Sequence, residues 1–479
     1  MMQKNTFLAV GMGLMFSASA CIAAEKNVDP SANTKMEISI YNNNLAFVRD
    51  TRKVDLSAGA NEIAFVGVSS QIRPETAMLW GNDIVVREQN YNYNLMTPAN
   101  ILQGSIGKKV KTAFYNEQTG ETTYDVAEIL DAGYNKPVLK FSYGIETDFP
   151  GRIIYEEVPE GLRTKPTLVA DVLNKAAAAE QNLELSYLTS GLSWKADYVA
   201  DLTPGNTLNL NAWITLKNES GIDYNNASVQ LIAGSVNQVA PVMPRPIMMA
   251  RAAKGINMEM AAVDTASMPS SEAFADYYLY NLPVKTAIKD QQTKQVSLMT
   301  KEKVKYAKEY KMNSPLYFYY NSGENEFTKA NPQIVYKLNN VKEDGLGLAL
   351  PQGTIRFFET DSKGNQQFIG ESSLNQLAEG EKTELSLGQA FDIFAAGKIA
   401  SVKKISDKIS EASAEITFHN AKDEAAEVIF AQNLNGSWEM ISESLKSNKK
   451  NASTAEWKIN IPAHGQETLK FTVRLSKKN

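Results

Sequence analysis

Apolar residues alternate with polar ones along most of this chain, and that period of two constrains the fold more than any other feature. Met36, Ile38 and Ile40 alternate with polar neighbours, and a turn at Asn42-Asn43-Asn44 precedes a second run at 45–48. Leu208, Leu210, Ala212, Ile214 and Leu216 share one strand face, with Trp213 on the other. Leu469, Phe471, Val473 and Leu475 alternate with Lys470, Thr472 and Arg474. Such a period puts one set of side chains in a core and the other in water, as in antiparallel sheets and sandwiches. Residues 110–114 and 124–126 flank a glycine-containing loop at 116–120, and 355–357 and 368–369 flank 361–365, two hairpins. Residues 176–179 favour helix by propensity, but they lie between alternating segments at 168–172 and 183–187 and are expected to connect two strands. The expected fold class is mostly β, built from several antiparallel sandwich-like domains. A membrane β-barrel is not expected, because loops are long and irregular where such a barrel repeats strands of ~10 residues.

The chain has 479 residues, 43% hydrophobic and 22% charged, the composition of a folded protein rather than a disordered or collagen-like one. Forty-nine Lys and Arg against 54 Asp and Glu leave a formal charge of −5, which gives no reason to expect nucleic acid as a partner. Residues 30–166 are expected as an N-terminal β domain and 167–395 as a central β domain. An immunoglobulin-like sandwich is expected over 396–479, with Ile416, Phe418, Val428, Phe430, Trp438, Trp457, Ile459, Ile461, Leu469, Phe471 and Val473 as its core.

Residues 1–24 read as a signal peptide: Lys4 supplies the charged end, 6–16 an apolar stretch too short to span a bilayer, and cleavage fits after Ala23 or Ala24. No other segment reaches the 18 or so apolar residues of a spanning helix. The expected location is the periplasm or the extracellular face of a bacterial envelope. Cleavage there removes the one cysteine, Cys21, and with it any disulfide or thiol nucleophile. The competing reading is lipidation at Cys21, since Ala18-Ser19-Ala20-Cys21 is a loose lipobox, and an acyl chain converts a soluble protein into an anchored one.

Several stretches, in order along the chain, are shared with one family. They are Ile40-Tyr41-Asn42 followed by Leu45-Ala46-Phe47-Val48-Arg49-Asp50 and Arg52, and Tyr187-Leu188-Thr189-Ser190-Gly191-Leu192-Ser193-Trp194-Lys195-Ala196-Asp197-Tyr198. Leu231-Ile232-Ala233-Gly234, Gln292-Thr293-Lys294-Gln295-Val296, Gly370-Glu371 and Asn420-Ala421-Lys422 with Trp438 complete the set. Over about residues 36–475 the chain resembles a bacterial envelope family of unknown function that includes the mucoidy inhibitor-like proteins. The resemblance implies a mostly-β exported protein. It carries no known catalytic residues, so it implies no site.

Candidate chemistry is sparse. A zinc site needs three or four converging ligands, and the chain has only His419, expected at a strand end, and His464, expected in a turn. Both are expected to be structural. Gly191-Leu192-Ser193-Trp194-Lys195 lacks the closing glycine of a nucleophile elbow. Ser105/Lys108, Ser401/Lys404 and Ser447/Lys450 have Ser-x-x-Lys spacing without the companion motifs of penicillin-recognising enzymes. Gly104-Ser105-Ile106-Gly107-Lys108 is too short for a phosphate-binding loop. A glycosidase-type carboxylate pair leaves no signature in a β-sequence. Neither catalysis nor a cofactor is therefore expected.

One segment breaks the alternation. Residues 240–275 are rich in Met, Ala and Pro and are expected as a mobile loop; they hold Met243, Met248, Met249, Met258, Met260 and Met268, six of the 16 methionines. Thioethers hold Cu(I) where thiolates are scarce, and they also adapt to irregular protein contacts. Both readings are open, with partner contact favoured because the spacing is irregular and no histidine helps. Lys285, Lys289, Lys294, Lys301, Lys303, Lys305, Lys308 and Lys311 precede Tyr317-Phe318-Tyr319-Tyr320. They suit an acidic polymer such as lipopolysaccharide or, as favoured here, a protected sheet edge. Tyr91-Asn92-Tyr93-Asn94 could stack on sugar rings or form an ordinary turn. The expectation is an exported protein that binds another envelope protein, with a glycan- or polyanion-binding module and then a carboxylate hydrolase as alternatives.

Overall fold

The computed structural model describes residues 25–133, 136–234, 236–237, 270–274, 277–319, 323 and 325–477. Strands account for 64% of it and helix for 4%, several sheets form sandwich-like arrangements, and the described residues form no barrel. The expected fold class is the observed one. No helix among the described residues is long and apolar enough to cross a membrane. The chain divides into two compact units: Met1–Ile38, Phe47–Ser190 and Ser220–Ala227 form the first, and Ser39–Ala46, Gly191–Glu219 and Ser228–Asn479 the second.

In the first unit a four-stranded sheet runs in the order Lys26–Val28, Gly59–Val66, Thr167–Asn174, Ile84–Asn92. Thr167–Asn174, beyond the expected boundary at 166, is an interior strand, antiparallel to both Gly59–Val66 and Ile84–Asn92. After it comes the connection read at 176–179, then the strand Ala179–Thr189, so the helical propensity there yields to sheet pairing on both sides. The strand Leu45–Leu56 explains much of this unit's interior. Its inward parity is Val48, Asp50, Arg52, Val54 and Leu56, all buried.

Two charges therefore occupy core positions, and they are held by a shared set of hydrogen bonds. Arg52 Nε and Nη2 donate to Asp50 Oδ2 at 3.0 and 2.6 Å, and Nη1 donates to the carbonyls of Val28 and Val66 at 2.6 and 2.7 Å. Asn33 Nδ2 donates to Asp50 Oδ1 at 2.7 Å, and the Phe65 ring lies 5.3 Å from the guanidinium. A buried ion pair is tolerable only when its remaining donors and acceptors are satisfied in this way. Here they also tie the short strand Lys26–Val28 to the edge of Gly59–Val66, its parallel neighbour.

A separate five-stranded sheet in this unit has the order Gly144–Glu146, Val138–Phe141, Thr122–Asp131, Lys109–Tyr115, Arg152–Ile154, and among the described residues its strands pair with one another. Its central pair is the hairpin expected at 110–126, with Gly120 at φ 72° in the loop, a conformation that favours glycine. The core beneath it is small: Val110, Ala127, Ile129, Leu139 and Phe141. The helix Pro98–Gly104 precedes it, capped by Thr97, whose side chain accepts from Asn100 N at 3.2 Å.

The second unit is organised around long strands. Leu192–Thr203 and Thr207–Asn218 pair over their full lengths and bury Trp194, Ala196, Tyr198, Leu208, Leu210, Ile214 and Leu216 on the inward parity. Gly353–Thr360 and Gln366–Leu374 form the second expected hairpin and extend the same sheet. Ser270–Phe274, the end of the expected Met-rich excursion, is a strand antiparallel to Tyr277–Asn281. At the C-terminus a sandwich follows. One layer has the order Glu326–Ala330, Ile393–Ser406, Ile409–Asn420, Gln466–Ser476, Ser437–Glu443; the other includes Ala426–Asn433, Thr454–Ile461 and Asn448–Asn451. Ten of the eleven residues expected in its core are buried, and Trp438 packs against them half-buried.

Candidate functional site

Exposed large hydrophobic side chains are concentrated in one place. Ten of the 22 in the described chain fall between Ile106 and Val158, in and around the five-stranded sheet. Single exposed apolar residues are ordinary, but a cluster costs solvation and asks for an explanation. Eight aromatic residues lie between Phe114 and Tyr155, yet the sheet is too small to bury them all.

Part of this cluster lines a cleft of about 370 Å³, bordered by Thr112, Phe114, Thr123, Tyr124, Asp125, Phe141, Tyr143, Glu146, Phe149 and Pro150. That size lies toward the lower end of the ~300–1,000 Å³ typical of small-molecule sites. Pairing of Thr112 with Asp125 and of Leu139 with Glu146 brings the two carboxylates to one side of the sheet, because opposed residues in an antiparallel ladder share a face. Phe141 anchors the rings: Tyr143 stacks on it at 5.1 Å between centroids, 14° from parallel, and Phe149 tilts against it at 5.4 Å. Phe141 is buried while Tyr143 is 66% and Tyr124 59% exposed. Lys111 Nζ lies 4.3 Å from the Tyr124 ring centre.

The backbone is shaped around these rings. A Cβ on Gly151 would lie 2.4 Å from the Phe149 ring and 2.5 Å from the Ala113 carbonyl oxygen, so only glycine lets the chain pass there with Phe149 in place. Loss of hydration, then the carboxylates of Glu146 and Asp125, raise the Tyr143 phenol above its ordinary value. Its hydroxyl is a neutral donor beside two acceptors. Flat apolar rings, hydroxyl donors and carboxylate acceptors in one cleft can stack on a ring that carries hydroxyl groups and hydrogen-bond its rim.

A larger cleft, about 660 Å³, lies in the second unit; its lining is mostly polar, with Met312, Val335 and Ile429 among the apolar members and no aromatic ring among the described residues. Its charges are largely matched internally: Lys311 meets Glu384 at 2.6 Å and Glu309 at 3.3 Å, and Lys450 meets Glu456 at 2.8 Å.

The residues singled out in the sequence are scattered. Met243, Met248, Met249, Met258, Met260 and Met268 lie outside the described residues, as do Cys21 and the segment 1–24. His419 stacks on Phe394 with centroids 4.7 Å apart, and His464, in a turn at φ 50°, contacts Asp423 Oδ1 at 2.9 Å. Among the described residues no three His, Cys, Asp or Glu side chains gather as a metal site. Ser193 faces Lys217 across a ladder, and the Ser105 hydroxyl is buried, donating to the Ile101 carbonyl at 2.7 Å.

The lysine run lies mostly on the strand Gln292–Asn313 and does not form one stripe. A bulge falls between the residues paired with Leu208 and Leu210, Lys303 there takes φ 55°, and side chains beyond it change face. Lys294 donates to Thr286 Oγ1 and the Ala287 carbonyl, Lys305 to Asp344 at 3.3 Å, and Lys308 sits near the Tyr310 ring. The expected sheet edge is only part of the strand: 306–311 pairs with Gln333–Asn339 and 310–313 with Ala426–Asn433, so 310 and 311 have neighbours on both sides. Tyr91 and Tyr93 stack at 5.6 Å, with Tyr93 71% exposed.

The aromatic cleft was missed in the sequence, although the density of rings between 114 and 155 was its signal. No protein-family model matches the chain, and no curated protein matches it.

Proposed function

We propose that this is an exported envelope protein that acts by binding, and that the cleft beside Tyr124 and Tyr143 holds carbohydrate rings. The observation that carries the reading is the exposed Tyr143 ring stacked on buried Phe141, with Phe149, Tyr124, Thr123, Asp125 and Glu146 lining the same cleft. Aromatic faces left in water are costly to a monomer and useful to a ligand with an apolar face and polar edges. The two carboxylates favour neutral sugars or amino sugars over acidic ones. The polar cleft of the second unit offers hydrogen bonds but no stacking face.

Isothermal titration of the protein with cellobiose, maltose and chitobiose tests this. Saturable binding of at least one is expected, weakened at least tenfold by Tyr124→Ala with Tyr143→Ala while the thermal midpoint is kept. No saturable binding of any of these sugars, or binding unchanged in the double variant, removes the cleft from the account.

A further inference from the structure

The opposite face of the same five-stranded sheet carries a second pattern. Across the ladder its rows read Arg152, Ala113, Tyr124; then Ile154, Lys111, Val126; then Lys109, Glu128, Lys140, Ile145. Val126 is 55% exposed, Ile145 63% and Ile154 38%. Lys109, Lys111, Lys140 and Arg152 make no ion pair among the described residues, and they outnumber the acids beside them, Glu128 and, in the next row opposite Val138, Asp131. A chain with a formal charge of −5 thus presents a locally cationic face studded with aliphatic groups.

We infer that this face docks on an anionic lipid surface. Aliphatic side chains seat at the boundary between headgroups and acyl chains, a tyrosine sits at headgroup level, and cations around them meet lipid phosphates. The face is a flat ladder, so its apolar groups have no groove in which to seat a partner's side chain. Interfacial insertion needs none. Lysine and arginine stems extend along the apolar surface while their charges reach outward, which suits the alternation of the rows. Tyr124 borders the cleft as well as this face, but Val126, Ile145 and Ile154 lie outside the cleft lining, so the inference does not rest on sugar binding.

Co-sedimentation of the exported protein with phosphatidylethanolamine vesicles, with and without phosphatidylglycerol, reads this directly. Binding is expected only with phosphatidylglycerol and should fall as salt rises. Val126→Glu with Ile145→Glu should weaken it more than tenfold. Lys109→Gln, Lys140→Gln and Arg152→Gln should each weaken it roughly fivefold. These charge variants stay informative if the paired glutamates disturb the fold, which circular dichroism would show. Equal binding to both vesicle types, or binding unchanged in the charge variants, would overturn the inference. So would retention on soluble dextran sulfate as tight as on vesicles and indifferent to Ile145→Glu, because that describes a polyanion site instead.

Discussion

The C-terminal sandwich and the five-stranded sheet around Thr122–Asp131 are both rich in aromatic residues, and they place them oppositely. In the sandwich Phe418, Phe430, Trp457 and Phe471 form a chain of ring contacts at 5.2, 6.0 and 4.9 Å, each ring at most 2% exposed. In the small sheet Phe114, Tyr124 and Tyr143 are 39–66% exposed around one buried Phe141. Burying a large side chain is worth roughly 1.5–3 kcal/mol, so the first set explains itself through stability. The second set forgoes that gain. Its rings gather in a cleft with hydroxyls and carboxylates, and this is the physical basis for assigning them to recognition.

The contrast breaks most readily at its stable end. Trp457→Ala should cost about 3–5 kcal/mol by loss of transfer energy and creation of a cavity, measured as a shift in the urea midpoint at constant slope. Arg52→Met should cost a similar amount, about 3–5 kcal/mol, by leaving the Asp50 carboxylate buried without its cation. Replacing Asp50 with Leu in the same chain should restore most of that loss, since the charge to be compensated is gone.

Gly151→Ala tests the small sheet's backbone. Overpacking against Phe149 and the Ala113 carbonyl should cost about 1–3 kcal/mol and weaken sugar binding through displacement of the ring. Tyr124→Ala and Tyr143→Ala should each change stability by no more than about 0.5 kcal/mol, as exposed substitutions do, while together weakening sugar binding at least tenfold.

Titration tests buried groups outside both regions. Burial raises the Asp197 carboxyl, but the Thr215 hydroxyl, Arg356 and Lys195 together hold it below its ordinary value. Its contribution is thus present above the unfolded value of about 3.9 and lost as pH falls through the folded one. Burial raises the phenols of Tyr187 and Tyr224 well above theirs. No penalty applies below the unfolded value of about 10, and stability declines as pH rises beyond it. Urea midpoints across pH, with tyrosinate absorbance at the alkaline end, check both directions.

Local pairing was legible in the sequence. The hairpins Lys109–Tyr115 with Thr122–Asp131 and Gly353–Thr360 with Gln366–Leu374 follow from alternation and glycine-containing loops, and the sandwich core follows from inward parity. The buried Asp50 and Arg52 were on the page as charges at the apolar parity of Val48 and Val54, but their shared fate depends on Val28 and Val66 arriving beside them. The cleft has the same difficulty. Tyr143, Glu146 and Phe149 reach Asp125 only through the register of Val138–Phe141 and Gly144–Glu146, which no periodicity specifies. The lysine run failed as a stripe because one bulge at Lys303 changes which face later side chains occupy.

Saturation-transfer NMR of chitobiose with the native protein and with the Tyr124→Ala, Tyr143→Ala double variant tests the central claim most directly. The account predicts transfer to the sugar-ring protons from the native protein, loss of that transfer in the double variant, and matching thermal midpoints. Equal transfer from both proteins, or none from the native one, would contradict it.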